Sequence, residues 1–265
     1  MTIIKSDLMK IVLTFDIERD IPGVFNSYLG VKFGLLKILK ILDEFNIKGT
    51  FFCTGNIIER FPEYVKLIKR KNHEIACHGL NHERLNELDF NECYQLIYKN
   101  KKLLENLCQQ SEIVGFRATY LKPPLFLFKI LANLGFKYDS SISSPKNLNK
   151  YQKFNSQINE FPPSNYNIYF RTPLNLQFFS KLIFKKKLVI LYFHPWEAID
   201  MKALIFNQTN SITKYKNLLI RLDRWVNTGD RFIQRLRTFI MEALSKEVKF
   251  VSLKDLIGYN EKIPS

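Results

Sequence analysis

The sequence lacks any apolar run near the roughly 20 residues that a membrane-spanning helix needs. Leu125 to Phe128 stops at Lys129, and Leu188 to Phe193 stops at His194, which excludes an integral helical membrane protein. It has no C-x-x-C pair either. Cys53, Cys77, Cys93 and Cys108 stand singly, so neither a disulfide framework nor a thiolate zinc site is indicated and buried reduced thiols are expected. Lys5, Asp7 and Lys10 interrupt the stretch where a secretory signal would be apolar, and no twin-arginine or lipid-anchor signal is present. The chain is therefore expected in the cytoplasm. Without an internal repeat or a linker, residues 1–265 are expected to form a single domain. Acidic residues are in deficit, 25 against 40 Lys and Arg, for a formal net charge of +15. Such a balance attracts polyanions: nucleic acid, anionic lipid surfaces or phosphorylated glycan carriers. The charge is spread, however, its longest cationic run being Lys185, Lys186 and Lys187, and no aromatic-basic stripe resembles a nucleic-acid module. Nucleic-acid recognition ranks below nonspecific basicity, with contact to a membrane surface between them.

What is present is a chain of 265 residues, 46% hydrophobic and 25% charged. That is enough for a sizeable core, and it excludes collagen-like, coiled-coil and disordered architectures. Ile11 to Phe15 reads as a buried strand running into Asp16, Glu18, Arg19 and Asp20. Gly49 to Cys53, Glu74 to Cys77, Ile113 to Phe116, Lys137 to Ser140, Leu188 to Phe193 and Val248 to Val251 read likewise. Between them lie helical stretches: Leu35 to Phe45 with Asn46 as a left-handed stop, Ile57 to Lys71 broken by Pro62, and a long one opened by the capping box Asp89–Glu92. Pro124 to Leu134 is another, ended by Gly135, and Asp230 to Leu244 another. Strand and helix alternate often enough to predict an α/β fold, a distorted and incomplete (β/α) barrel of parallel strands like a TIM barrel. Ser143 to Lys187 breaks the rhythm and is expected to be loops and irregular strands facing the substrate.

His78 and His82 follow the Glu74 to Cys77 strand at a spacing of four, which brings two imidazoles together for a divalent metal if the second half enters a helical turn. Taken alone, a hydrogen-bonded structural pair is the ordinary alternative. Asp16 and Glu18, two apart at a strand's end, point the same way while Ile17 packs. Arg117 and Asp139 end neighbouring strands and form an expected ion pair able to orient a carboxylate. His194 ends Leu188 to Phe193 and suits acid/base work. Each has a bland reading as a solvated or structural group. Jointly they set polar groups at five strand ends, where a barrel keeps its site.

In that order these segments resemble the polysaccharide deacetylase family, metal-dependent carbohydrate esterases built on an incomplete (β/α) barrel. Thr14-Phe15-Asp16-Ile17-Glu18 is similar to its first motif and His73 through His82 to its second. Gly115 through Tyr120 resembles the third, Tyr138-Asp139-Ser140-Ser141 the fourth, and Phe193-His194-Pro195-Trp196-Glu197 the last. The resemblance runs from about Lys10 to Tyr259. It implies that His78 and His82 hold one divalent metal ion, zinc first and cobalt or nickel as alternatives, together with a carboxylate. Ile17 stands where the family's second aspartate belongs, which gives the ligand role to Glu18 and the general-base role to Asp16, the two roles being exchangeable.

The resemblance further implies that Arg117 holds Asp16 and is steadied by Asp139, and that the Tyr120 N–H helps to bind the oxyanion. His194 protonates the departing amine, and Leu191 walls in the acetyl methyl. Thr119 replaces the family's usual proline, Asn72 a glycine, and Ile142 stands near where an aromatic lines the groove. Asn159 to Ser164, with Glu160, resembles a loop near the site. The implied function is removal of an N-acetyl group from a sugar, a small or carrier-linked intermediate of glycan biosynthesis, the alternatives being hydrolysis of a formamide or cyclic amide, or a noncatalytic glycan-binding barrel. The expected partner is an acetylated sugar or glycan, phosphate- or lipid-linked, met in the cytoplasm at the inner membrane face.

Overall fold

Successive residues of strand β1 (Lys10–Ile17) face two different surroundings, and that period of two sets the architecture. Ile11, Leu13, Phe15 and Ile17 pack into the larger apolar core shared with the helices, whereas Val12 belongs to a separate cluster inside the curl of the sheet. Thr14 and Asp16 follow Val12 on that inner face. In this computed structural model, residues 8–22, 24–109, 112–143, 148–152, 157–173, 176–207 and 220–258 are described. Beyond β1 come β2 (Thr50–Cys53), β3 (Glu74–Cys77), β4 (Gly115–Phe116), β5 (Tyr138–Asp139), β6 (Asn159–Glu160), β7 (Leu188–Phe193) and β8 (Lys249–Phe250).

All pairings are parallel, in the order β6-β5-β4-β3-β2-β1-β7, with β8 added at the start of β1. Helices cross between strands: Leu35–Glu44 after β1, Gly55–Arg60 and Pro62–Arg70 after β2, Phe90–Cys108 after β3, and Leu127–Asn133 after β4. The result is the curled, incomplete (β/α) barrel that the alternation predicts. Pro62 splits its helical stretch and Asp89 with Glu92 forms the capping box, as read from the sequence. Phe15, Phe51 and Phe193 are fully buried between sheet and helices, each contributing roughly 1.5–3 kcal/mol of burial.

The edge strands β6 and β7 do not pair with each other, and Ser164 bridges them. Its N–H donates to the Ile190 carbonyl at 2.8 Å, and its Oγ accepts from the Ile190 N–H at 3.2 Å. At the opposite end from the strand mouths, Leu253 and Leu256 plug the interior against Val12, Phe52, Ala76, Tyr138, Phe161 and Ile190. Glu74 is the polar pin of this floor, accepting from Thr50 Oγ1 (2.7 Å), Tyr138 OH (2.7 Å) and the Lys254 N–H (3.0 Å). Burial raises its pKa despite those donors. Gly115 is required here by close approach, since a Cβ would lie 2.0 Å from the Tyr138 hydroxyl.

The stretch from 143 to 187 differs from its expectation of loops and irregular strands. It holds the helices Leu148–Gln152, Ile168–Arg171 and Leu176–Ile183 around the two-residue β6. Residues 144–147, 153–156 and 174–175 within it lie outside the described residues, as do 1–7, where the signal reading fell, and Tyr259. Among the described residues no helix is long and apolar enough to cross a membrane.

Candidate active site

The inner-face parity of the strands brings Asp16, Glu18, His78, Arg117, Tyr192 and His194 to one end of the barrel. All but Arg117 line a cleft of about 190 Å³, together with His82, Tyr120, Leu121, Arg171 and Arg224. Asp16 is the best-anchored of them. Arg117 Nη1 donates to Asp16 Oδ1 at 2.8 Å and to Thr14 Oγ1 at 2.8 Å. The remainder of that guanidinium is held by the Ser140 carbonyl (3.0 Å) and Ser140 Oγ (2.8 Å), and it lies 4.1 Å over the Phe52 ring. Asp16 Oδ2 is left facing the cleft, 3.9 Å from both His78 Nε2 and His194 Nε2.

Glu18, His78 and His82 form a three-residue group whose ligand atoms lie within 4.8 Å of one another. His78 Nδ1 lies 2.9 Å from the Arg117 carbonyl. A carbonyl can only accept, so Nδ1 carries the hydrogen and the neutral ring offers its Nε2 lone pair to the cleft. That atom is 3.4 Å from Glu18 Oε2, and His82 Nε2 contacts the same oxygen. Glu18 Oε2 is buried with no hydrogen-bond partner among the described residues. A buried carboxylate oxygen facing two imidazole nitrogens fits a divalent cation. Burial would raise the Glu18 pKa, but His82, His78 and His194 outweigh it and hold the carboxyl well below its ordinary range. For His78, burial is in turn outweighed by Asp16 and Glu18, which raise its pKa.

The two histidines converge through a loop, not through the helical turn expected. Gly79 and His82 take positive φ of 75° and 65°. Glu83 accepts from the Leu80 and Asn81 N–H groups at 3.1 and 2.8 Å, and buried Asn100 of the long helix donates to the Gly79 and Cys53 carbonyls. Tyr120 also has a positive φ of 59°. Its ring packs edge-on to His82 at 4.4 Å, and its N–H donates to no protein acceptor among the described residues.

Two expectations are corrected by strand parity. Asp139 does not pair with Arg117: Tyr138 occupies the inner face of β5, so Asp139 points the other way. It accepts from Ser141 Oγ at 2.6 Å, and that hydroxyl accepts from the Ala118 N–H at 2.7 Å, so Asp139 braces the backbone beyond Arg117. Glu160 accepts from the Ile142 N–H at 2.8 Å, and burial, then Asp139, push its pKa well above normal. Leu191, expected as the wall for a methyl group, is buried in the helix-side core, and Tyr192 lines the cleft instead. Ile142 is likewise buried in that core.

Arg171 and the role of Glu197 were not foreseen from the sequence. Glu197 accepts from Arg171 Nε (3.0 Å) and Nη2 (2.7 Å), and from the His194 backbone N–H (2.9 Å). The same Oε1 lies 3.0 Å from His194 Nδ1, so the ring is turned with Nε2 toward Asp16 and Glu18. Burial would raise the Glu197 pKa, but Arg171 and His194 lower it. Trp196 stacks on His194 at 5.1 Å.

The sequence model of the polysaccharide deacetylase family matches residues 6–138, and the chain belongs to that family. It is 36% identical over 123 residues to a peptidoglycan deacetylase-like protein of Gibberella zeae and 28% over 127 residues to a peptidoglycan deacetylase of Helicobacter pylori. These matches cover 46% and 48% of this chain but only 35% and 41% of those proteins. In fold, it aligns over 96% of its length with 91% of Puue allantoinase, at a TM-score of 0.68 and 14% identity. A peptidoglycan N-acetylglucosamine deacetylase aligns over 94% of this chain and 88% of its own, at a TM-score of 0.58 and 18% identity.

Proposed function

We propose that this chain is a metal-dependent hydrolase that removes an N-acetyl group from a sugar, with residues 1–265 acting as one catalytic domain. The observation that carries the reading is the convergence of Asp16, Glu18, His78, His82 and His194 within one cleft, with Asp16, His78 and His194 each held by a partner that fixes its direction. Glu18, His78 and His82 would hold the ion, zinc by donor type with cobalt or nickel as alternatives. When bound, the ion supplies Lewis-acid polarisation of the acetyl carbonyl and a more acidic water.

The chain's own residues supply the rest. Asp16, fixed by Arg117, takes the proton from the attacking water through Oδ2. The Tyr120 N–H donates to the oxyanion. His194, with Nδ1 toward Glu197, delivers a proton from Nε2 to the departing sugar amine. Asp139 acts at a distance by bracing the Ala118 backbone. Intact proton donors and acceptors at every one of these positions argue against a noncatalytic barrel.

The net charge of +15 supports a phosphate-bearing or lipid-linked glycan intermediate as substrate, met at a membrane face. Four buried cysteines without disulfides accord with a reducing, cytoplasmic setting. The deciding experiment compares metal content and acetate release for the wild type and the His78→Ala, His82→Ala double variant, on acetylated, formylated and ring-amide substrates. About one equivalent of metal, with acetate release lost in the variant, is expected. No metal in either protein after incubation with zinc or cobalt, or turnover of ring amides alone, would overturn the reading.

A further inference from the structure

We propose that Arg224 reads an anionic substituent, phosphate or carboxylate, on the acetylated sugar, and so determines which sugars this site accepts. The inference rests on the deacetylase reading for the identity of the substrate, but the observations behind it are separate. Arg224 lines the same cleft as Asp16, Glu18 and His78. Its side chain keeps 27% of its surface exposed.

What sets it apart is that its charge is only partly answered. The neighbouring Asp223 gives both carboxylate oxygens to Arg221, at 2.8 and 2.9 Å. Arg224 is left with one ionic contact, from Nε to Asp223 Oδ2 at 3.5 Å, and its two terminal nitrogens have no hydrogen-bond partner among the described residues. Arg171, the other guanidinium in the cleft, pairs with Glu197 through Nε and Nη2, and its Nη2 also reaches the Tyr192 carbonyl. Three guanidinium groups thus face two carboxylates. Burial, and then Arg171, lower the Arg224 pKa.

Its position is nonetheless fixed. The guanidinium sits 5.6 Å over the Trp196 ring, and Trp196 stacks on His194. An aromatic face orients the planar group while leaving its N–H donors free. A guanidinium held in this way offers a fork that matches a carboxylate or phosphate and gains little from a neutral hydroxyl. Because the fork lines the same cleft as His194, the imidazole proposed to protonate the leaving amine, the anion belongs to the reacting sugar or its immediate substituent.

The test measures binding by calorimetry at fixed ionic strength for N-acetylglucosamine, its 1-phosphate, its 6-phosphate and N-acetylmuramic acid. The proteins are the metal-loaded wild type, Arg224→Gln, Arg224→Lys and the distant surface variant Lys186→Gln. At least one anionic sugar is expected to bind wild type roughly tenfold or more tightly than the neutral one. That ratio should collapse in Arg224→Gln, survive in part in Arg224→Lys and persist in Lys186→Gln. Whether a phosphate or the lactyl carboxylate gives the ratio identifies the source of the anion. Equal binding of neutral and anionic sugars, or a ratio equally reduced in Lys186→Gln, would overturn the proposal. Should Arg224→Gln not fold, Arg224→Lys carries the same comparison. Acetate release, followed in parallel, judges the deacetylase reading independently: an intact anion preference without acetate release sinks that reading and leaves the anion site standing.

Discussion

Arg117 Nη1 and Asp16 Oδ1, 101 positions apart in the chain, lie 2.8 Å from each other in a buried ion pair. Their side chains are 0% and 5% exposed, and only Asp16 Oδ2 meets the cleft. Arg117→Met leaves Asp16 buried without its partner and should destabilise the fold by about 3–5 kcal/mol. Urea denaturation of the two proteins measures this directly, and a loss below about 1 kcal/mol would mean that Asp16 is solvated in solution.

His78 and His194 should separate metal binding from proton transfer. His78→Ala is expected to lose both metal and acetate release with its circular dichroism unchanged. His194→Ala should retain metal and lose roughly 10²–10⁴-fold in kcat, the usual contribution of a general acid. Elemental analysis beside steady-state kinetics reads both, and the reverse pattern would show that the roles are exchanged.

Glu197 joins two functions, since it neutralises Arg171 and turns His194. Glu197→Gln keeps the shape but weakens both contacts, and a drop in kcat with metal content unchanged is expected. Arg171→Met, by contrast, strands a buried carboxylate and should cost about 3–5 kcal/mol in stability. The double variant Arg171→Met, Glu197→Met should recover part of that loss, as a thermal-denaturation cycle would reveal.

His73 predicts a pH dependence of stability outside the site. Burial, and then Lys48, lower its pKa from 6.5 to about 4. The Gly49 N–H donates to His73 Nδ1 at 3.3 Å, so the folded ring is neutral at that atom. Above pH 6.5 both folded and unfolded chains hold it neutral. Below 6.5 the unfolded state binds the proton more readily, and stability falls as pH drops from about 6.5 toward 4. His73→Gln should flatten that part of the stability profile. An unchanged slope would place the titration elsewhere.

How much of this was legible in the sequence follows from strand parity. Asp16, Glu18, His78 and His194 end strands long enough, or motifs distinct enough, to show which side faces the site. Asp139 was misread because β5 is two residues long and offers no period. Leu191 was misread because β7 is apolar at every position, so its two faces look alike until the neighbours are known. The histidine loop was read as a helical turn because a spacing of four suits both, and the left-handed backbone at His82 leaves no mark in the sequence. Arg171 lies in a stretch without periodicity, 26 positions before Glu197, and nothing local announces its contact.

The floor of the barrel has a consequence for synthesis. Thr14, two residues before Asp16, donates to the carbonyl of Leu191, 177 positions later, and Thr50 receives the Leu253 N–H from 203 positions away. A nascent chain therefore exposes the inner face of its first strands, polar ligands included, until nearly all of it has left the ribosome. Chains released early should be recognised by proteases and chaperones as unclosed sheets, so that a competent site arises only in molecules whose translation has run past Leu256.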